Sequence, residues 1–379
     1  MAKLSDICEM VNKKIKLNNQ INKALCDTYV STENMLPNKQ GIIAADNTPL
    51  KGSITAYRKS DTLVSNIRPY FKKIWYAEIN GGCSNDVLVF RAKQGINSYF
   101  LYYNLADDKF FDYSMKTSKG TKMPRGDKKS IMEYPVKKFD LVTQLKSIIT
   151  LKLIDEKIKL NNAINNNLEQ QAKTLYKNWF IDFTPFSSDG NLPDCWRFGT
   201  VSDIIQFHDS KRVPLSSAER EKMVKIYPYY GATSLMDYVD NYLFDGVYLL
   251  LGEDGTVVDS FGFPILQYVY GQFWVNNHAH IITGKEGFSV EELYLFFSLT
   301  NIKSIVTGAV QQKVSQQNLK QVPAIIPSKD ALSAFDELIQ PIFTQIRNLR
   351  DENVRLADLR DALLPKLISG ELDVSNIEI

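Results

Sequence analysis

Six cations crowd the stretch Lys116-Thr117-Ser118-Lys119-Gly120-Thr121-Lys122-Met123-Pro124-Arg125-Gly126-Asp127-Lys128-Lys129. Lys and Arg supply charge for phosphate oxygens, while Gly and Pro keep a segment out of regular structure. The stretch reads as a loop able to approach a sugar-phosphate backbone through Lys116, Lys119, Thr121, Lys122, Arg125 and Lys128. A solvated surface loop is the plainer alternative. A later segment, Gly308-Ala309-Val310-Gln311-Gln312-Lys313-Val314-Ser315-Gln316-Gln317-Asn318, exchanges most cations for amides. Glutamine can pair bidentately with adenine, so Gln311, Gln312, Gln316 and Gln317, beside Lys313, could read bases where the first stretch grips phosphates.

Two further segments carry related chemistry. Ser65-Asn66-Ile67-Arg68-Pro69-Tyr70-Phe71-Lys72-Lys73 interleaves cations, an amide and aromatics, with Asn66, Arg68, Tyr70, Lys72 and Lys73 as candidate contacts. Its rough counterpart, Leu249 to Gly255, is a strand entering an acidic turn at Glu253-Asp254. That turn could accept from cytosine amino groups, although a plain turn is the favoured reading. Lys211 and Arg212, and Tyr229 within Tyr227-Pro228-Tyr229-Tyr230-Gly231, are also candidates, with surface charge and core packing as the plain alternatives.

Enzyme chemistry finds less support. There is no Gly-rich phosphate loop ending in Lys-Ser/Thr, no Gly-x-Gly-x-x-Gly, and no Asn-Pro-Pro-aromatic tetrapeptide of amino-methyltransferases. Asp127-Lys128-Lys129 matches the tail of a nuclease pattern, but so short a triplet is common. His278 and His280 would share one face of a strand without a visible third ligand, so no metal is expected. Cys8, Cys26, Cys83 and Cys195 form no CxxC pair, which argues against a zinc site or a disulfide framework. The first residues lack the layout of a signal peptide and no apolar run approaches a membrane span, so a cytoplasmic protein is expected. Net charge of +2 does not by itself mark a nucleic-acid binder.

The elements that position these residues are written twice. Gly120 and Pro135 recur as Gly308 and Pro323, each 188 residues on, and the register continues without a gap. Ile154 falls on Ile342, Ile158 on Ile346, Leu168 on Leu356, Leu175 on Leu363, and Phe180 on Ile368. Weaker echoes pair Leu4-Ser5-Asp6-Ile7 with Val201-Ser202-Asp203-Ile204, and Phe100-Leu101-Tyr102-Tyr103 with Tyr294-Leu295-Phe296-Phe297, at drifting offsets. Each half is therefore a length-tolerant globular domain followed by a helix of fixed length. Since a helix rises by a fixed amount per residue, the helices look like rulers.

In both helices apolar residues alternate spacings of four and three, the pattern of a coiled-coil seam. One seam runs Ile154, Ile158, Asn161, Asn165, Leu168, Ala172, Leu175, Trp179, and the other Ile342, Ile346, Leu349, Asn353, Leu356, Arg360, Leu363, Leu367. Asn165 and Asn353 hold the same seam position, where a buried amide would fix register, unless both are simply solvated. Thr184-Pro185 should stop the first helix, and Pro365 and Gly370 should kink and cap the second. The apolar ends, Leu175 to Phe180 and Leu363 to Ile368, read either as packing against the chain's own domains or as a docking surface for other subunits.

Taken in order, these segments resemble the specificity subunits of type I restriction-modification systems. Leu175-Tyr176-Lys177-Asn178-Trp179-Phe180-Ile181-Asp182-Phe183 resembles that family's central region, and Leu359 to Leu372 its terminal region. Val64 to Tyr70 and Gly120 to Lys128 resemble a recurring type of recognition domain. The leader before Leu4 is shorter than the family's. The resemblance implies an α+β chain: two pseudo-repeated α/β target-recognition domains separated by two long antiparallel coiled-coil helices. The expected division is 1–137, first recognition domain; 138–183, central spacer helix; 184–327, second recognition domain; 328–370, C-terminal spacer helix; and 371–379, tail.

The same resemblance implies that each domain reads one half of a split site in double-stranded DNA, with helix length setting the unread gap. It implies docking of two methyltransferase subunits on the helices, recruitment of restriction subunits through the complex, and no membrane partner. S-adenosylmethionine, ATP and Mg are then expected on those partners, and this chain is expected to bind no cofactor and to catalyse nothing. Two rival readings stay open at this point: a DNA-modifying enzyme with a cryptic site, and a protein-binding scaffold that does not touch DNA.

Overall fold

A computed structural model describes residues 2–17, 28–45, 47–308 and 311–377. Two compact units divide the chain: residues 1–160 with 352–379, and residues 161–351. Two long helices, Leu141–Phe180 and Lys329–Ser369, each contribute one part to each unit.

In unit 1, one four-stranded sheet runs in the order Cys8–Met10, Val87–Ala92, Thr62–Ser65, Ile74–Tyr76. Thr62–Ser65 is buried throughout, as a strand covered on both faces must be. A second sheet runs Lys14–Lys16, Ser53–Tyr57, Gly81–Cys83, Tyr29–Val30. Helix Ser98–Ala106 starts where the Asn97 side chain accepts from the backbone of Tyr99 and Phe100, and helix Asp108–Lys116 starts on Asp107. Phe100, Phe110 and Phe111 pack with Ile148 and Leu151 of the first long helix and Leu364, Leu367 and Ile368 of the second.

Unit 2 has one six-stranded sheet, in the order Ile205–Phe207, Ala279–Gly284, Phe244–Gly252, Leu266–Val275, Tyr227–Tyr230, Leu235–Val239. Helix Val290–Leu299 opens on a reciprocal cap, Glu292 N–H donating to Ser289 Oγ and Ser289 N–H to Glu292 Oε2. Ala172, Tyr176 and Phe180 pack with Phe335, Ile339, Phe343 and Ile346 against this unit's core.

The written repeat has a structural counterpart. Ala2–Lys3 pairs with Pro135–Val136, and Arg197–Thr200 with Pro323–Ile326, with Lys3 opposite Pro135 and Thr200 opposite Pro323. The Leu-Ser-Asp-Ile and Val-Ser-Asp-Ile echoes are single helical turns, held by Asp6 accepting from the Lys3 N–H at 2.8 Å and Asp203 from the Thr200 N–H at 2.9 Å. Between these shared parts the copies diverge, two sheets against one, and helix Asp108–Lys116 against the single 3-10 turn Lys303–Ile305. That divergence accounts for the drifting offsets.

The predicted seam faces inward. Ile154, Asn165, Phe180, Ile346 and Leu367 are buried, while Ile158, Leu168, Leu175, Trp179, Ile342, Asn353, Leu356 and Leu363 are half-buried. Within each unit the two helices run antiparallel. Asp155 meets Arg360 at 3.0 Å and Lys157 meets Glu352 at 3.5 Å in unit 1; Glu169 meets Arg350 at 3.2 Å in unit 2. The apolar helix ends are taken up by the globular cores, and the large apolar side chains that the helices expose are instead Leu141, Val142, Leu153, Leu160, Ile164, Leu338, Val354 and Leu359. The first helix stops before Thr184-Pro185; the second runs on through Pro365 and ends at Gly370, whose φ of +68° is the left-handed cap its glycine supplies.

Candidate nucleic-acid interface

The middle of the cationic stretch of unit 1 forms a short hairpin, while Lys116 ends helix Asp108–Lys116 and Lys128 and Lys129 open helix Lys128–Met132, so the stretch is a loop only between them. Lys119 N–H donates to Arg125 O at 2.9 Å and Arg125 N–H returns the bond at 3.0 Å. Gly120 opens the turn at φ +90°. The hairpin is docked on the sheet by Arg68 N–H to Pro124 O, 2.8 Å, and Gly126 N–H to Asn66 O, 3.3 Å. Asp127 then caps helix Lys128–Met132.

Unit 2 repeats this in the same register, 188 residues on. Thr307 and Lys313 exchange backbone bonds at 2.9 and 2.8 Å, Gly308 opens the turn at φ +86°, and Ser315 caps helix Gln316–Lys320. Gln312–Lys313 pairs with Asp254–Gly255, as Arg125 pairs with Ile67. Ala309 and Val310 lie outside the described residues.

Lys116, Lys119, Thr121, Lys122, Arg125 and Lys128 are all exposed. Lys119 meets Asp127 at 2.6 Å and Arg125 meets Asp86 at 3.4 Å; the Lys119 hydrogen bond, with those from Ser130, holds Asp127 well below the usual carboxylate range. Such solvent-exposed pairs exchange partners at little cost. Lys116, Lys122 and Lys128 have no ion pair among the described residues. In unit 2, Gln311, Lys313, Gln317 and Lys211 are exposed and Gln312 is half-buried.

Other sequence-chosen residues are turned inward. Asn66 is 7% exposed and Tyr229 is 1% exposed, its hydroxyl accepting from Leu215 N–H at 3.0 Å and its ring lying under Arg220. Lys72 meets Asp108 at 2.7 Å, and Lys73 donates to Thr32 O at 2.7 Å, burial pulling its pKa down. Arg212 donates to Glu253 at 2.6 Å and Ala279 O at 2.8 Å, and Gln316 donates to Asp209. Arg68 is half-buried at φ 50°, and Tyr70 stands out at 48% exposure.

The histidines of His278-Ala279-His280 have separate roles. His278 meets Asp254 at 2.6 Å near the surface. His280 is buried with Asp209 and Glu253, three ligand-type atoms lying within 4.8 Å of one another. The two acidic partners were invisible in the sequence because they come from other elements. Arg212, 2.6 Å from Glu253 and 3.5 Å from Asp209, already supplies positive charge there, so the cluster fits an ion-pair network better than a metal.

Comparison with known proteins agrees with this architecture. The family model for the type I restriction modification DNA specificity domain matches residues 1–170 and 193–355. The chain is 26% identical to the type I restriction enzyme MjaIX specificity subunit of Methanocaldococcus jannaschii, over 75% of this chain and 71% of that one. It is 22% identical to the HindI specificity subunit of Haemophilus influenzae, over 97% and 98% of the two chains. The crystal structure of a type I restriction-modification S subunit from M. genitalium aligns with a TM-score of 0.52 at 15% identity, covering 97% of this chain and 95% of that one, a likeness of fold. No helix among the described residues is long and apolar enough to cross a membrane.

Proposed function

The chain belongs to the type I restriction modification DNA specificity family, and from that premise we propose that it reads a split target in double-stranded DNA, one half-site through each unit. The observation that carries this reading is the pair of hairpins in identical register, Lys119–Arg125 and Thr307–Lys313, each opened by a left-handed glycine and each docked on its sheet. The first hairpin would grip phosphates through Lys119, Lys122 and Arg125, with Thr121 alongside and Lys116 and Lys128 on the flanking helices. The second would approach base edges through Gln311, Gln312 and Gln317, with Lys211 and Lys313 steadying the backbone. Arg212, Gln316 and the Asn66 backbone hold these hairpins' surroundings in place, and Tyr229 packs in a separate cluster with Val239 and Trp274.

On this reading the chain is not itself a catalyst. Two methyltransferase subunits dock on the long helices and bring S-adenosylmethionine, and restriction subunits joining the complex bring ATP and Mg. Leu153, Leu160, Ile164, Val354 and Leu359, toward the middle of the helices, are among the exposed apolar side chains available for docking. Sequencing the methylome of a host that expresses this chain with its methyltransferase partners tests the proposal. A split motif, with a short specific block on each side of a fixed gap, is the expected result; a continuous motif would overturn it.

A further inference from the structure

In each unit, the connection on which the hairpin docks also presents exposed aromatic side chains on a turn of fixed shape. In unit 2 this connection runs from Phe244–Gly252 to Leu266–Val275. Asp259 Oδ1 accepts from the N–H groups of Phe261 and Phe263, both at 2.9 Å, and Asp259 N–H donates to Phe263 O at 2.9 Å. Asn301 Nδ2 donates to Phe261 O at 2.7 Å, and Ile302 N–H to Gly262 O at 3.0 Å. Gly262 has a φ of +95°, and a Cβ there would lie 2.8 Å from both Asn301 and Lys303. The turn is pinned from several sides, yet the Phe261 side chain is 76% exposed.

The equivalent connection of unit 1, between Thr62–Ser65 and Ile74–Tyr76, is built differently to the same effect. Tyr70 and Phe71, 48% and 37% exposed, sit on one 3-10 turn between two left-handed residues, Arg68 and Lys72, at φ 50° and 51°. Left-handed backbone at non-glycine residues is strained and persists only where its surroundings enforce it.

An apolar ring held rigidly in water is unfavourable, and a rigid ring loses little freedom when something covers it. Its position says what that is. The chain passes from Gly255, paired with Gln312, directly into the Phe261 turn, and Lys303 beneath Gly262 opens the segment leading to Thr307 at the other foot of the hairpin. Phe261 therefore shares its base with the amide hairpin. Proteins that bend DNA insert such apolar side chains between base steps. Resting on the DNA-reading function above, we propose that Phe261 is a wedge that enters the base stack of the half-site read by unit 2, with Tyr70 and Phe71 forming the corresponding surface of unit 1.

The test uses the full chain assembled with its methyltransferase partners, and duplexes of the mapped split motif carrying 2-aminopurine at successive positions. Binding should raise the fluorescence at one position of the half-site read by unit 2, where Phe261 breaks the stacking, independently of any rise in the half-site that faces Tyr70 and Phe71. Phe261→Ala should abolish that rise and weaken specific binding about 5- to 100-fold, whereas Phe261→Leu should retain most of both. Because the ring is exposed, the melting temperature of the Phe261→Ala complex should not change. Unaltered affinity and fluorescence in Phe261→Ala would overturn the wedge. So would loss of the methyltransferase with DNA contacts intact, which would assign the ring to a protein partner. A wild-type complex with no preference for the motif would instead overturn the specificity reading itself.

Discussion

His280 Nδ1 lies 2.7 Å from Asp209 Oδ2, and the opposite ring nitrogen lies 2.8 Å from Val314 O. Burial alone would raise Asp209, but hydrogen bonds from His280, the Ile281 N–H and Gln316 hold it ionised, below the usual carboxylate range. The ring is therefore held from both sides, by a carboxylate on one nitrogen and a backbone carbonyl on the other. His280 thus ties the foot of the amide hairpin, at Val314, to the segment carrying Lys211.

Replacing His280 with Ala leaves Asp209 and the Val314 carbonyl buried with a partner missing. Urea denaturation should show a loss of about 3 kcal/mol, and methylation should lose fidelity in one half-site before the other. An unchanged midpoint would show that the clamp carries no stability.

Glu292 is fully buried in the cap of helix Val290–Leu299, and burial pushes its carboxyl up to about 8. Its Oε1 has no hydrogen-bond partner among the described residues. As pH rises from 4.5 to 8 the unfolded chain releases a proton that the fold retains, so stability should fall by at most about 1.4 kcal/mol per pH unit and then level off. Glu292→Gln should flatten this slope. Thermal melts of both forms between pH 5 and pH 8.5 decide it, and parallel curves would remove Glu292 from the account.

The two hairpins should fail differently. Lys116→Ala, Lys122→Ala and Lys128→Ala should each weaken binding to all DNA alike and lower the salt slope by about 1. Gln311→Ala with Gln312→Ala should relax one half-site, at about 1–3 kcal/mol per lost base contact. Binding titrations over a range of salt separate the two, and a sequence-specific effect of the lysines would reverse the assignment.

At Gly308 an added Cβ would lie 2.1 Å from the Gln311 carbonyl oxygen, on a left-handed backbone. At Gly120 the nearest such atom is 3.3 Å away. Gly308→Ala should therefore disturb its hairpin more than Gly120→Ala disturbs the other. Footprints of the two variants, each read at both half-sites, compare them directly.

Inserting four residues after Asn165 lengthens a continuous helix by about 6 Å. The methylated motif should keep both halves and gain a longer gap. Loss of one half, or an unaltered gap, would show that the helix does not set the spacing.

Much of this was legible in the sequence because its causes are local. The alternation of four and three marked the inward face of both helices, from Ile154 to Trp179 and from Ile342 to Leu367. Gly120 and Gly308 marked matching irregular segments in the two halves, and the structure makes each the left-handed opening of a hairpin turn. The Asp6 and Asp203 caps preserved an echo between domains whose sheets differ.

The tertiary structure decided which polar side chains remain available. Nothing near Arg212 in sequence announces Glu253, 41 residues on, and nothing near His280 announces Asp209, 71 residues back. Lys72, Lys73 and Tyr229 look like surface contacts until Asp108, Thr32 and Leu215 are brought beside them. Phe261 drew no notice as one phenylalanine among 20; only the pinned turn shows that it is held out in solvent. Period and turn chemistry act within a few residues and can be read along the chain. Pairing of buried polar groups depends on which strands become neighbours, and that is fixed only when the whole sheet has formed.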